Sequence, residues 1–341
     1  MIEFGSDYHR CDSTFHGSTT ISALLPSHQY YASGRMALLA IVQREGWKRL
    51  WVPAYFCHEI IDCWKKHIDI CLYDDYPLED HDDALVRSLP YKEGDALIRM
   101  NFFGLRARRT NMGIPVPIIE DHSHALTSVW ALKSDADWCI VSLRKSLPLA
   151  FGGILWSPKG LDLPTDPVVN SAYCQLAETR YQAMEMKTRY LQDGGDKEVF
   201  RSKFITTEEG LDQLKEVCAI DKETSSILSC LDIVRWNEQK HKNHALACRM
   251  LNRFEIIGRE ASTPFSLIVL MPDENARNRL KSFLIQNAIF PATLWTIPEE
   301  VPFARCVDFG KRMLSLHCDA RYTERDIQQM CDIINQYDSI H

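Results

Sequence analysis

D-W-C-I-V-S-L-R-K-S-L-P-L-A-F-G-G, residues 137–153, is the stretch whose reading decides the fold. Its opening apolar run, with β-branched Ile140 and Val141, predicts a buried strand, and Ser142 then starts a polar turn carrying Arg144 and Lys145. Pro148 and the pair Gly152-Gly153 frame a second short apolar run, F-G-G-I-L-W. Lys145 therefore lies between two strands of one sheet, where α/β folds place their chemistry.

Upstream, the chain repeats the grammar of strand, helix, strand. R-L-W-V-P reads as a strand ending at Pro53, followed by a loop with Tyr55 and Phe56 and a helix through Trp64. H-I-D-I-C-L-Y-D, Ala96–Met100 and Val116–Ile119 read as further strands by alternation and β-branching. The last of these leads into E-D-H-S-H-A, which sets Asp121 at a strand end. Before them, Y-Y-A-S-G-R-M-A-L-L-A-I-V predicts a helix opened by Ser33 and Gly34 and stopped at Gly46. Such a helix start has free N–H donors and can hold an anion; equally, Ser33 can serve only as a cap.

The second half predicts helices from about Pro167, interrupted by D-G-G-D at 193–196, with a helix start at Thr206-Thr207 and one long helix over Ile227–Phe254. Strand, amphipathic helix, strand and terminal helix follow, an α+β pattern. We expect an irregular arm over residues 1–29, a large α/β domain over 30–235 and a smaller α+β domain over 236–341.

Composition narrows the classes. The 341 residues carry a net charge of −7 and no Lys/Arg-dense stripe, which argues against a nucleic-acid binder. The 12 cysteines are dispersed and form no C-x-x-C pair, so buried free thiols in a reducing compartment are expected. No window approaches the roughly 20 apolar residues of a membrane span, and the N-terminus lacks a signal pattern. A cytoplasmic protein acting on small molecules is the expectation.

A lysine reacts with a carbonyl when desolvation or neighbouring positive charge keeps its amine partly neutral. With a carboxylate at a neighbouring strand end, it meets the needs of pyridoxal 5'-phosphate: the lysine holds the aldehyde and the aspartate pairs with the ring nitrogen. Ser33, Gly34 and Ser142 are candidate phosphate donors, and Tyr55 or Phe56 a candidate cover for one ring face. His122-x-His124 lacks further evident ligands, so no metal is expected.

Six segments in order carry a resemblance: S-G-R-M-A-L at 33–38, V-P-A-Y-F at 52–56, N-F-F-G at 101–104, E-D-H-S-H-A at 120–125, S-L-R-K-S-L-P at 142–148 with Gly152-Gly153, and L-H-C-D-A-R-Y-T-E-R-D-I at 316–327. Together they resemble the fold-type I pyridoxal-phosphate enzymes, most of all the DegT/DnrJ-type sugar aminotransferases. The resemblance implies a three-layer α/β/α fold with a mainly parallel sheet, of the aspartate aminotransferase kind, and a homodimer. It implies that Lys145 bonds the cofactor, Asp121 holds the pyridine nitrogen, His124 contacts the ring hydroxyl, and Ser33, Gly34 and Arg35 face the phosphate. Trp295, in F-P-A-T-L-W, falls where the small domain of that family approaches substrate. The implied reaction moves an amino group from an amino-acid donor to a keto acceptor, a nucleotide-linked keto sugar by resemblance.

Two departures stand out. Ser142 precedes the lysine by three positions where the family has five, and Arg35 replaces the usual threonine. They motivate an alternative of another class: a protein of this fold that binds the cofactor or a partner without transaminating.

Overall fold

The N-terminal segment is tied to the far end of the chain. In the computed structural model, which describes residues 3–25, 27–78, 83–214 and 216–337, β1 (Phe4–Gly5) pairs in parallel with a strand at Ile289–Phe290. The arm expected to be irregular thus holds a strand, a 3-10 turn over Asp12–Phe15 and the short α1 (Ile21–Leu24). A strand whose partner is so distant in sequence leaves no local period to read. Residues 1, 2 and 338–341, at the outer bounds of the expected divisions, lie outside the described residues.

β2 (Gln29–Tyr31) leads into α2 (Gly34–Glu45), where the Ser33 side chain caps the helix by accepting from Met36 N at 3.3 Å. Gly46 ends it in the left-handed conformation, φ 64°, which glycine adopts without steric cost. The repeating units follow: β3 (Arg49–Pro53), α3 (His58–Trp64), β4 (Asp69–Tyr73), α4 (Ala84–Ser88), β5 (Asp95–Met100), β6 (Ile118–Asp121), α5 (Val129–Leu132), β7 (Trp138–Ser142) and β8 (Gly153–Trp156).

These strands form one seven-stranded sheet in the order β2-β8-β7-β6-β5-β3-β4. β4, β3, β5, β6 and β7 run parallel, and β8 and β2 close one edge antiparallel. β5 and β6 are buried along their whole lengths, as parallel strands covered on both faces are, and the carboxylates they carry have partners, Asp95 in Arg49 at 2.6 Å and Glu120 in His122 at 3.0 Å. The parallel strands deliver Pro53, Met100, Asp121 and Ser142 to one edge.

Two long helices, α6 (Ser171–Asp193) and α7 (Glu198–Gln213), pack on each other, separated by the Gly194-Gly195 interruption. α7 begins eight residues before the helix start expected at Thr206, and Thr207 is buried within it. The single long helix expected over Ile227–Phe254 is two, α8 (Lys222–Cys230) and α9 (Ile233–Met250). Asp232 caps the second by accepting from Arg235 N at 3.0 Å, so the residue read as helix interior is a stop and restart. β9 (Glu255–Ile257), β10 (Leu267–Leu270), α10 (Glu274–Gln286), β11 (Ile289–Phe290), α11 (Ala304–Arg312), β12 (Met313–Leu316) and α12 (Glu324–Asn335) complete the chain. β12-β10-β9 is an antiparallel sheet with its own apolar core, which includes Leu267, Leu314, Ile327 and, from the other terminus, Phe4. Among the described residues no helix is long and apolar enough to cross a membrane.

Candidate active site

Glycine lets the site close. A Cβ on Gly153 would lie 2.2 Å from the carbonyl carbon of Ser33 and 2.5 Å from Gly34 N, so β8 can meet the start of α2 only without a side chain. A Cβ on Gly34 would lie 2.9 Å from that of Ser142. The first turn of α2, with its unpaired N–H groups, is thereby seated against the end of β7.

Beside this contact a cavity of about 280 Å3 opens, walled by Ser33, Gly34, Arg35, Phe56, Asp121, Ser142, Lys145 and Trp295. Eight of the ten residues expected from the sequence therefore line one space. Tyr55 and His124 do not. Tyr55 is fully buried between Phe102, Phe103 and Phe309, and its hydroxyl donates to the Leu294 carbonyl. Of the two neighbours offered as a ring cover, Phe56 faces the cavity and stacks on Trp295, centroids 5.8 Å apart. The His124 ring lies behind the wall, stacked on Phe103 at 5.1 Å, Phe265 at 4.2 Å and Trp295 at 5.5 Å. Its Nδ1 accepts from Phe103 N at 3.2 Å, while its buried Nε2 has no partner among the described residues.

Lys145 follows β7 in a 3-10 turn, and its ammonium lies 5.0 Å from the centre of the Trp295 ring. Burial lowers the affinity of this amine for its proton; the Asp121 carboxylate and Cys57 oppose the shift, and the Arg144 and Arg35 charges add to it. Asp121 is buried at the end of β6, where one carboxylate oxygen accepts from Ser123 N at 2.8 Å. Burial, then the charges of Lys145 and Lys240, hold the His124 imidazole well below the usual histidine range, so it is neutral.

Several participants were not legible in the sequence. Ser123 ties the loops together, its Oγ accepting from Ser142 N at 2.8 Å and its carbonyl from Ser146 Oγ at 3.1 Å. On α7, Glu208 accepts from Arg144 at 2.5 Å and from Arg180 at 3.1 Å, and Asp212 pairs with Arg35 at 2.5 Å. Arg180 also reaches Asp7 at 2.7 Å, which brings the N-terminal arm to a second cavity of about 320 Å3 on the far side of Lys145. The i, i+4 spacing of Glu208 and Asp212 was the available signal, and nothing in it named Arg144 or Arg35 as partners.

The histidine pair separates. His122 Nε2 sits 3.0 Å from Glu120, and with Cys139 these form a buried trio whose ligand atoms lie within 4.8 Å of one another. Glu120 also accepts from Ser134 at 2.6 Å and Asn111 at 2.7 Å, so its carboxylate is satisfied by hydrogen bonds.

The arrangement suits a ring bearing an anionic group. A buried carboxylate and an amine whose proton affinity burial lowers line the wall, an N–H-rich helix start stands at one end, an aromatic face covers one side, and an imidazole nitrogen without a partner among the described residues lies behind. The cavity is at the lower edge of the about 300–1,000 Å3 typical of small-ligand sites.

No known family profile and no curated protein matches the sequence. Solved structures do match the fold. The chain is similar to the aminotransferase PseC of Helicobacter pylori, involved in pseudoaminic acid biosynthesis, with TM-score 0.64 and 12% identity over 98% of this chain and 99% of that one. It is similar to the aminotransferase TlmJ of Streptoalloteichus hindustanus, with TM-score 0.63 and 12% identity over 98% and 97%. Spr1654 of Streptococcus pneumoniae, solved in a PLP form, matches with TM-score 0.63 and 12% identity over 98% and 97%. The chain thus has the expected α/β fold with a mainly parallel sheet.

Proposed function

We propose that this chain is a pyridoxal-phosphate-dependent aminotransferase that passes an amino group from an amino-acid donor to a keto sugar, most simply a nucleotide-linked one. One observation carries the reading: Lys145 and Asp121, from the ends of adjacent strands, line one cavity with the helix start at Ser33-Gly34. Among the similar structures, Spr1654 carries the name sugar aminotransferase and DesI was solved with its TDP-sugar product, which supports the acceptor class.

When bound, pyridoxal phosphate supplies an aldehyde and a ring able to take up the electron pair of a substrate carbon. Asp121 would keep a proton on the ring nitrogen, and the α2 N–H groups with Ser33 and Ser142 would hold the phosphate. Lys145 Nζ, its proton affinity lowered by burial, would take the proton from the substrate α-carbon and hand it to the carbon of the cofactor's aldehyde group. Phe56 covers one face of the site and excludes water. We assign residues 30–235 to the cofactor-binding domain and 236–341 to the smaller one, and take the working protein to be a cytoplasmic homodimer.

Protein supplied with pyridoxal phosphate is expected to turn yellow, to lose that colour on adding an amino donor, and to carry a borohydride-reducible linkage. If Lys145→Ala retains the same linkage, the lysine assignment is wrong. A second reading, cofactor binding without transamination, is favoured by the Trp295 indole lying between Phe56 and His124 beside the amine. Colour that no member of a broad donor panel discharges selects it.

A further inference from the structure

Among the described residues two lysines are almost entirely enclosed, and only one has partners. Lys187, 1% exposed, donates to Ser6 Oγ at 2.6 Å and to the carbonyls of Asp7 at 2.7 Å and Gly5 at 3.5 Å. Lys240, 2% exposed on α9, makes no hydrogen bond and no ion pair with any described residue. Asp319, whose charge reaches it, is already held by Arg321 at 2.8 and 2.9 Å. An enclosed ammonium without an anion or acceptor is costly where nothing compensates its lost hydration.

Lys240 stands in the wall of a cavity of about 560 Å3 that shares no residue with the one at Lys145. The cavity lies between the first turns of α9 and the segment before β10. His241 and Lys242 stand exposed at its rim, and the hydroxyls of Thr127, Ser262 and Thr263 in its wall have no hydrogen-bond partner among the described residues. Its one carboxylate, Glu238, is exposed.

We propose that this cleft is a binding site for a phosphate-bearing small molecule whose phosphate closes on the Lys240 ammonium. Three terminal oxygens match one ammonium and three free hydroxyls better than the two oxygens of a carboxylate. The volume exceeds what a phosphate fills, and Leu24, Leu132, Val234 and Pro264 offer apolar wall to the rest of the ligand. Burial holds the Lys240 amine at about 8, so it is still largely protonated near neutral pH and reactive toward acylating reagents just above it.

The test uses that reactivity. Brief acetylation of the whole protein near pH 8, read residue by residue by mass spectrometry, is expected to modify Lys240, and saturating inorganic phosphate or glucose 6-phosphate to slow it about tenfold. Lys222, exposed and outside this cavity, serves as the unprotected control. Calorimetric titration of glucose 6-phosphate is expected to weaken about tenfold in Lys240→Met and in the double variant Ser262→Ala, Thr263→Val, the latter deciding the matter if the former does not fold. Binding unchanged in a folded variant, or no protection by either probe at about 10 mM, overturns the proposal. Protection by succinate equal to that by phosphate overturns the choice of phosphate. None of these readouts depends on the reaction assigned to Lys145.

Discussion

The Lys145 ammonium lies 5.0 Å from the centre of the Trp295 indole, so a residue at the end of the large sheet faces one from the segment between β11 and α11 across a single cleft. If Trp295 touches the acceptor, Trp295→Ala is expected to raise the KM for nucleotide-linked keto sugars about tenfold, roughly 1.4 kcal/mol, with the donor half-reaction nearly unchanged. Stopped-flow measurement of each half-reaction separates the two. An equal loss in both assigns the indole to the cofactor instead.

Asp121→Asn keeps an oxygen able to accept from Ser123 N and removes the charge that would hold a proton on the ring nitrogen. Donor half-reaction rates are expected to fall at least about a hundredfold, near 2.7 kcal/mol, while denaturant midpoints move little. An Asn variant with wild-type rates removes Asp121 from the cofactor.

Gly153→Ala drives a methyl into the Ser33 carbonyl and Gly34 N, both backbone atoms that cannot swing aside. A loss of about 1–3 kcal/mol in unfolding free energy is expected, with weaker cofactor binding as the start of α2 is pushed from Ser142. Gly46→Ala is the control, since open space surrounds that position and only its left-handed backbone resists the change.

Acid should act through His244. Burial, then the charges of His241, Lys240 and Arg259, lower its pKa from 6.5 to about 4. The folded protein therefore takes up its proton later than the unfolded chain does. This stability cost is absent above pH 6.5 and grows as pH falls toward 4. At pH 5 it amounts to roughly 1–2 kcal/mol, and urea midpoints at pH 7 and pH 5 should differ less for His244→Gln than for the parent. Equal pH slopes would remove His244 from the acid response.

The sequence was most readable where a pattern is local. The strand ends at Asp121 and Ser142 follow from apolar runs that stop at a polar residue, and the Ser33 cap from its place before a helical period. Tyr55 and Phe56 could not be told apart, because which of two adjacent aromatic residues faces a cleft depends on the loop path after Pro53. The bridges from Glu208 to Arg144 and Arg180, and from Asp7 to Arg180, join segments far apart in the chain. Asp232 was misread because an aspartate that starts a helix and one inside a helix look alike until the preceding turn is seen to end.

The pairing of β1 with β11 bears on how the protein is made. Phe4 finds Ile289 and Tyr322, and Ser6 to Tyr8 border the cavity beyond Lys145, so these residues wait for partners made nearly 300 positions later. The seven-stranded sheet, complete by Trp156, can assemble during synthesis, whereas this side of the cleft stays open until the final strands and helix emerge. The nascent chain therefore acquires its scaffold early and this wall of the cavity only after Ser315 and His317 have emerged.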